Sequence, residues 1–386
     1  MALIGFGKID TNLIPLLSGC IFCVLNRILN QYKGTKLFEN IALTNVFIAF
    51  GDILIIIPYI IYQIRARKNT NPDKKDDEKH NVQENNSDTK KFEYIYEESE
   101  DIENVKGKGK FIILIALIFF VNYNMFVYTF DVKSNTWIMY ILFTSIFYYI
   151  IFKSKLYLHH YLSICSILIF GIIIDLILEN LQIDFSKQII KITLSVFRVI
   201  LLSFDYVIIK YTMEKKYVSP YIIGMCNGLI NLVLFIIFGI FDYYFFHINE
   251  YDEYFSNFNK TELLVIFGLI STQLGLYTSL FFIDKNDSPC HIFIVFVFGQ
   301  FGSYFYDFKF EKYSVIVIIC LILMLFFSLV FNEIIELRFC GLSFNTKRNI
   351  TKRGETEVGD SMMLMADCEE KDENINEPSN KSVEYN

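Results

Sequence analysis

The sequence predicts an all-α membrane protein, with about ten transmembrane helices in two inverted five-helix repeats. Three observations predict it. The 386-residue chain is 53% hydrophobic and 17% aromatic, with a mean hydropathy of +0.38, above the roughly 45–50% apolar share of soluble domains. Its apolar residues gather in blocks rather than alternating with a period of two or 3.6, and about 20 such residues cross a bilayer as a helix. Ten blocks can be counted, in two sets of five, Leu13 to Leu178 and Ile189 to Phe331. An odd number in each half inserts the second half upside down relative to the first.

The first block runs from Leu13 to Gln31 and the second from Ile41 to Ile64, so residues 13–64 hold the first two spans. Spans three to five lie within 111–178: Phe111 to Phe130, Trp137 to Phe152 and Leu162 to Leu178. The last five lie within 189–335. They are Ile189 to Ile209, Pro220 to Phe241, Leu263 to Ile283, Cys290 to Tyr306 and Ser314 to Phe331. The fourth and ninth are short. Residues 1–12 carry Lys8 and Asp10 and no small-residue cleavage site, so no cleavable signal is expected and the first helix serves as the insertion signal.

Lysine and arginine in short loops are retained on the cytoplasmic side. Arg65, Arg67 and Lys68 follow the second block, Lys153 and Lys155 the fourth, and Lys210, Lys215 and Lys216 the sixth. Arg338, Lys347, Arg348, Lys352 and Arg353 follow the tenth. The opposite side holds acidic stretches such as "FDYYFFHINEYDEYF", Phe241 to Phe255, with Lys33 and Lys36 as exceptions. Both termini are therefore expected in the cytoplasm. Asn259-Lys260-Thr261 is a formal glycosylation sequon on the lumenal side, close to the eighth helix.

Residues 65–110 and 336–386 mix acids and bases with few apolar groups. Such segments bury too little surface to fold alone, and a disordered cytoplasmic loop and tail are expected. Within the loop, "EYIYEESED" is a docking or phosphorylation stretch or simply a solvated charge run. Most of the eight cysteines sit inside or at the edge of apolar blocks, where the residue acts as a small hydrophobe. Cys20 and Cys23 form C-x-x-C without a second ligand pair, and the five histidines are scattered, with His159 and His160 in a loop. No metal or other cofactor is expected. No Walker loop, G-x-S-x-G or H-E-x-x-H occurs, so neither a hydrolase nor an ATP-driven pump is signalled.

The polar residues inside the blocks carry most of the functional information. A charge at the centre of a membrane helix costs about 2.5–3.5 kcal/mol on insertion scales, so it tends to face a cavity or a partner. Asn26 and Arg27 interrupt the first helix, with Asn30 one turn on, and Asp52 follows Gly51 in the second. Asn122 and Asn124 lie in the third. Arg198 and Asp205 stand seven residues apart in the sixth, on one face about 10 Å apart. Asn227 and Asn231 mark the seventh, Gln273 the eighth and Gln300 the ninth. Converging on one water-filled cavity, they would bind a solute. Each also has a structural reading: Arg27 snorkels, Asp52, Arg198 and Asp205 pair between helices, and the amides are interhelical glue.

Several stretches together carry a family resemblance. "SGCIFCVLNRILNQY" resembles the opening helix of the drug/metabolite transporter superfamily, in its solute-carrier-35 branch related to nucleotide-sugar transporters, with Arg27 eight residues after Gly19 where lysine is common. "AFGD", Ala49 to Asp52, is similar to the phenylalanine-glycine-acid step of its second helix, and "KSKLYLHHYLSI" to the basic turn between its fourth and fifth. "EKKYVSPYIIGMCNGL" resembles the start of its seventh helix, "DSPCHIF" that of its ninth, and "FNEIIELRFCGLSFNTKRNI" its closing signature. The fourth helix departs from the pattern, reading "SNTWIMYILF" with Trp137 where relatives carry glutamine and arginine, and Asn227 replaces an acid.

The resemblance implies a secondary transporter that moves a small polar organic solute (nucleotide-sugar-like, nucleotide or other metabolite) by alternating access, without catalysis. Arg27 is expected to bind an anionic group, Asp52 and Asp205 to couple protons or hold a cationic group, and Arg198 to partner Asp205. The expected partners are the solute and the lipid bilayer, with a homodimer left open and no nucleic acid. An endomembrane, Golgi or endolysosomal, is favoured over the plasma membrane. The rival reading is a non-transporting adaptor that presents the loop and tail to partner proteins. Asn332 and Glu333, at the end of the tenth block, are expected to seal the cytoplasmic side through an ion pair with a neighbouring basic loop.

Overall fold

The computed structural model describes residues 4–6, 13–31, 41–69, 105–129, 136–179, 185–245, 260–306 and 314–337. These form helices throughout, apart from two three-residue strands. Strand β1 (Ile4–Phe6) precedes α1 (Leu13–Gln31), α2 (Ile41–Ile53), α3 (Ile56–Asn69), α4 (Val105–Thr129), α5 (Met139–Phe152) and α6 (Leu158–Glu179). Then come α7 (Phe185–Lys215), α8 (Pro220–Phe245), α9 (Lys260–Asn286), α10 (Ile292–Tyr306), α11 (Ser314–Phe331) and β2 (Ile335–Leu337). A turn of 3-10 helix leads into α5 and another into α10.

Among the described residues, six segments are long and apolar enough to cross a membrane: Thr44–Ile61, Lys108–Met125, Leu158–Ile177, Ile189–Lys215, Pro220–Tyr244 and Lys260–Asn286. Four shorter apolar helices match the first, fourth, ninth and tenth blocks. Large apolar side chains such as Ile14, Ile190, Leu264 and Phe267 stand on the outside, each more than two-thirds exposed. That much exposed hydrocarbon marks a surface made for lipid.

The second block is not one straight helix. Pro58 has no N–H to give the Leu54 carbonyl, and its ring crowds that oxygen. The chain tightens just before it, Ile55 N bonding Asp52 O at 3.2 Å and Ile57 N bonding Leu54 O at 2.9 Å, which separates α2 from α3.

Most helices outrun their apolar blocks, because a helix once nucleated adds one hydrogen bond per further residue at little cost. Residues 65–69 thus continue α3 and 105–110 open α4, which trims both ends of the loop expected over 65–110. Residues 70–104 lie outside the described residues, as do 338–386. Of the tail expected from 336, Glu336 and Leu337 belong to β2, and of residues 1–12, Ile4–Phe6 form β1. The two strands pair antiparallel, Ile4 with Leu337 and Phe6 with Ile335.

Among the described residues, three non-glycine residues take left-handed backbone, Lys153 (φ 52°), Tyr217 (φ 52°) and Glu333 (φ 56°). Each turns the chain just past a helix, after α5, α7 and α11. The bonds from Val218 N to Thr212 O at 3.3 Å and from Ile334 N to Leu329 O at 2.9 Å occupy terminal carbonyls there.

In the packing, α1 lies between α9 and α10, and α7 between α4 and α5. Helix α2 runs along α8, and α6 along α11, while α4 also meets α8 and α9 also meets α2. Small residues permit the closest of these approaches. A Cβ on Gly228 of α8 would stand 2.7 Å from the Ile53 backbone nitrogen and 3.0 Å from the Ala49 carbonyl oxygen of α2.

Candidate functional site

The polar residues of α1, α2, α4 and α9 meet in the bundle interior. Asn26 of α1 donates through Nδ2 to Gln273 Oε1 of α9 at 3.0 Å. Gln273 Nε2 donates to the Tyr123 hydroxyl of α4 at 3.1 Å, which lies 3.2 Å from the Tyr277 hydroxyl of α9. One amide thus links three helices, and both its ends are engaged. The Phe119 ring packs on Tyr123 and Tyr277, with centroids 4.4 Å and 5.4 Å away, and closes an aromatic wall over the network.

Asp52 enters this interior from α2. It is 0% exposed, and neither carboxylate oxygen has an aligned hydrogen-bond donor among the described residues. Gln273 stands beside it, with its Oε1 and Nε2 turned to Asn26 and Tyr123. A buried carboxylate is costly to keep inside a membrane span, which makes Asp52 a candidate for function. Arg27 lies against Cys23 and Gly299 where α1 meets α10, and Arg198 of α7 is an electrostatic neighbour of both Arg27 and Tyr123. Guanidinium groups suit anionic partners such as carboxylates and phosphates.

Asp205 belongs to a second cluster. Asp284 of α9 is its electrostatic neighbour, and both residues are buried, at 2% and 0% exposure. Next to them, Lys210 was read above as a loop charge but lies inside α7 at 2% exposure. Its Nζ donates to the carbonyls of Asp284 at 2.5 Å, Lys285 at 2.9 Å and Asp287 at 2.7 Å, and pairs with Glu214 at 2.9 Å. Lys210 therefore caps the C-terminus of α9, where the helix dipole favours a cation.

Asn227 and Asn231 are glue within α8: Asn231 Nδ2 donates to the backbone oxygen and Oδ1 of Asn227, both at 2.9 Å. Asn122 is buried on α4, and Asn124 turns back to its own helix at Phe120 O, 2.8 Å away. Trp137 stacks on Phe293 with centroids 5.5 Å apart, so it packs the junction of α5 and α10. Glu333 Oε1 lies 3.2 Å from His159 Nε2, so the end of α11 meets the start of α6.

The structure thus joins Asn26, Gln273 and Tyr123 beside Asp52, with Arg198 an electrostatic neighbour of Tyr123 and Arg27, while Tyr206 is an electrostatic neighbour of both Asp52 and Asp205. Sequence reading missed Tyr123 and Tyr277, because tyrosine in an apolar block counts as hydrophobic filling; their four-residue offsets from Phe119 and Gln273 were the available signal. Tyr123→Phe should strand Gln273 Nε2 and the Tyr277 hydroxyl, at a cost of about 1–3 kcal/mol for unsatisfied buried groups. A lower melting temperature with intact oligomeric state in detergent is the expected readout; an unchanged melt would mean the hydroxyl is dispensable.

No protein-family model matches the chain, and no curated protein matches it at a significant level.

Proposed function

We propose that the chain is a secondary transporter of the drug/metabolite type, with ten spans in two inverted five-helix halves and one central solute site. The observation that carries this reading is the fully buried Asp52 beside the Gln273–Tyr123 network, with Arg198 an electrostatic neighbour of Tyr123, because a charge so costly to bury is seldom kept for packing alone. The helix pairings support the inverted halves. Exchanging each span of the first five with its counterpart in the second turns the contacts of α1 with α9 and α10 into those of α7 with α4 and α5. The same exchange returns α2 with α8, and α6 with α11, to themselves. The pairing of β1 with β2 supports an even number of crossings, since it holds the two ends of the bundle's chain on one face.

In this reading Arg27 and Arg198 receive an anionic group of a small polar metabolite, and Asp52 exchanges a proton or meets a cationic group. The site is open to one face at a time, and no bond of the solute is made or broken. An endomembrane location accompanies the resemblance in "SGCIFCVLNRILNQY" and "AFGD".

Uptake into liposomes containing the purified chain tests the proposal, with pools of nucleotide sugars, nucleotides, amino acids and small cations, each with and without a proton gradient. One pool should accumulate, and Arg27→Ala and Asp52→Asn should each abolish accumulation while eluting as folded protein. If every pool stays outside while the protein is folded, or if both variants transport normally, the reading fails and the adaptor gains.

A further inference from the structure

We propose that His159, His160 and Glu333 form a binding site for a divalent transition-metal ion, which ties the start of α6 to the end of α11. The inference stands on different residues from the solute site and does not depend on transport. The two histidines are adjacent in the first turn of α6, where successive side chains ordinarily diverge by about 100°. Here the rings stay together, with centroids 4.0 Å apart. Glu333 comes from the other side: its left-handed backbone, φ 56°, turns the chain out of α11 and returns the carboxylate toward α6. One ligand atom from each of the three residues lies within 4.8 Å of the other two.

The shortest separation is informative. His159 Nε2 and Glu333 Oε1 are 3.2 Å apart, yet neither ring nitrogen of His159 makes an aligned hydrogen bond among the described residues. Two ligands of one tetrahedral zinc, at bond lengths of about 2.0–2.2 Å, stand about 3.3–3.6 Å apart. His159 is 3% exposed, and leaving a buried imidazole unsatisfied costs stability that coordination would return. His160 Nδ1 accepts the Tyr157 backbone N–H at 3.0 Å, so ligation through this ring exchanges that bond or its tautomer for a metal bond. The Phe331 and Tyr157 rings flank His160 at 4.9 Å and 5.9 Å.

Two imidazoles and one carboxylate make a three-ligand set with a coordination position left open. Such donors suit zinc, cobalt, nickel or iron, whereas calcium and magnesium take oxygen ligands. The ion would hold the last helix of the first half against the last helix of the second.

The test uses the full-length chain in detergent, stripped with chelator and titrated with Co(II). Visible d–d absorption of a site containing nitrogen ligands should appear at one equivalent, disappear on addition of zinc, and be lost in Glu333→Gln and in His160→Gln. The His160→Gln variant keeps the His159–Glu333 pair, so its fold should survive and loss of absorption there cannot be blamed on unfolding. Zinc should also raise the melting temperature of the wild type and leave that of His160→Gln unmoved. Absence of the absorption in the wild type overturns the proposal and leaves a structural ion pair. Its persistence in the triple variant His159→Ala, His160→Ala, Glu333→Gln also overturns it and assigns the metal to other histidines or cysteines.

Discussion

Gly228→Leu should eliminate folded protein, the largest effect expected of any single substitution in the bundle. The space beside Gly228 is filled by main chain, with the Ile53 nitrogen, the Ala49 oxygen and the Asp52 carbonyl carbon at 2.7, 3.0 and 3.0 Å from a Cβ placed there. Side chains can change rotamer to admit a larger neighbour, but a helix backbone cannot, so α2 and α8 would have to separate along their length. Overpacking of ordinary cores costs about 1–3 kcal/mol, and here even Gly228→Ala lies at or above that range. The comparison is Gly109→Ala in α4, where nothing stands within 4 Å and alanine gains up to about 1 kcal/mol of helix propensity. Fluorescence-detected gel filtration should show Gly228→Leu as aggregate, Gly228→Ala with a reduced melting temperature and Gly109→Ala as wild type. A monodisperse Gly228→Leu with a normal melt would mean that α2 and α8 do not touch through their backbones.

The second large effect is expected at Lys210. Lys210→Met fills the same space but leaves the terminal carbonyls of α9 and the Glu214 carboxylate without their cation. Removing one member of a buried charged network costs about 3–5 kcal/mol. Adding Glu214→Gln separates two explanations. If the Lys210–Glu214 pair matters most, the double variant recovers; if capping of α9 matters most, it stays as unstable as Lys210→Met. We expect the second outcome, because three of the four contacts of Nζ go to backbone oxygens, while Glu214 is 26% exposed and partly screened. Lys210→Arg should retain part of the stability. A melt of Lys210→Met equal to the wild type would show that water can replace the lysine there.

The two predictions differ in how far the sequence foretold them. The apolar blocks were legible as long runs with few charges, and Ser314–Phe331 coincides with its block to the residue. The break between α2 and α3 was legible in principle from Pro58, whose missing donor acts locally. Helix ends were less legible, since Lys215 and Asn286 extend helices that hydropathy ends earlier. Lys210 was misplaced because a lysine after an apolar run looks like a loop charge, and only the position of the end of α9 reveals its task. Among site residues, Arg27, Asp52, Arg198 and Gln273 stood out as costly groups in apolar surroundings. Which of them meet was not legible, since Asn26 and Gln273 are brought together by helix packing across most of the chain. His159 and His160 were passed over for the same reason: their carboxylate arrives from the far end of the sequence.

The pairing of β1 with β2 has a bearing on the order of folding. Bringing residue 6 to residue 335 closes a loop of nearly the whole chain, whose entropy on the logarithmic length scale costs about 5 kcal/mol for a flexible polymer. Two three-residue strands cannot offset that, since even an isolated hairpin is marginal in water. The strands can therefore meet only after α1 and α11 have docked on α10 and removed most of the distance between them. The clasp of the termini is thus a late event, a record that both ends of the bundle have assembled.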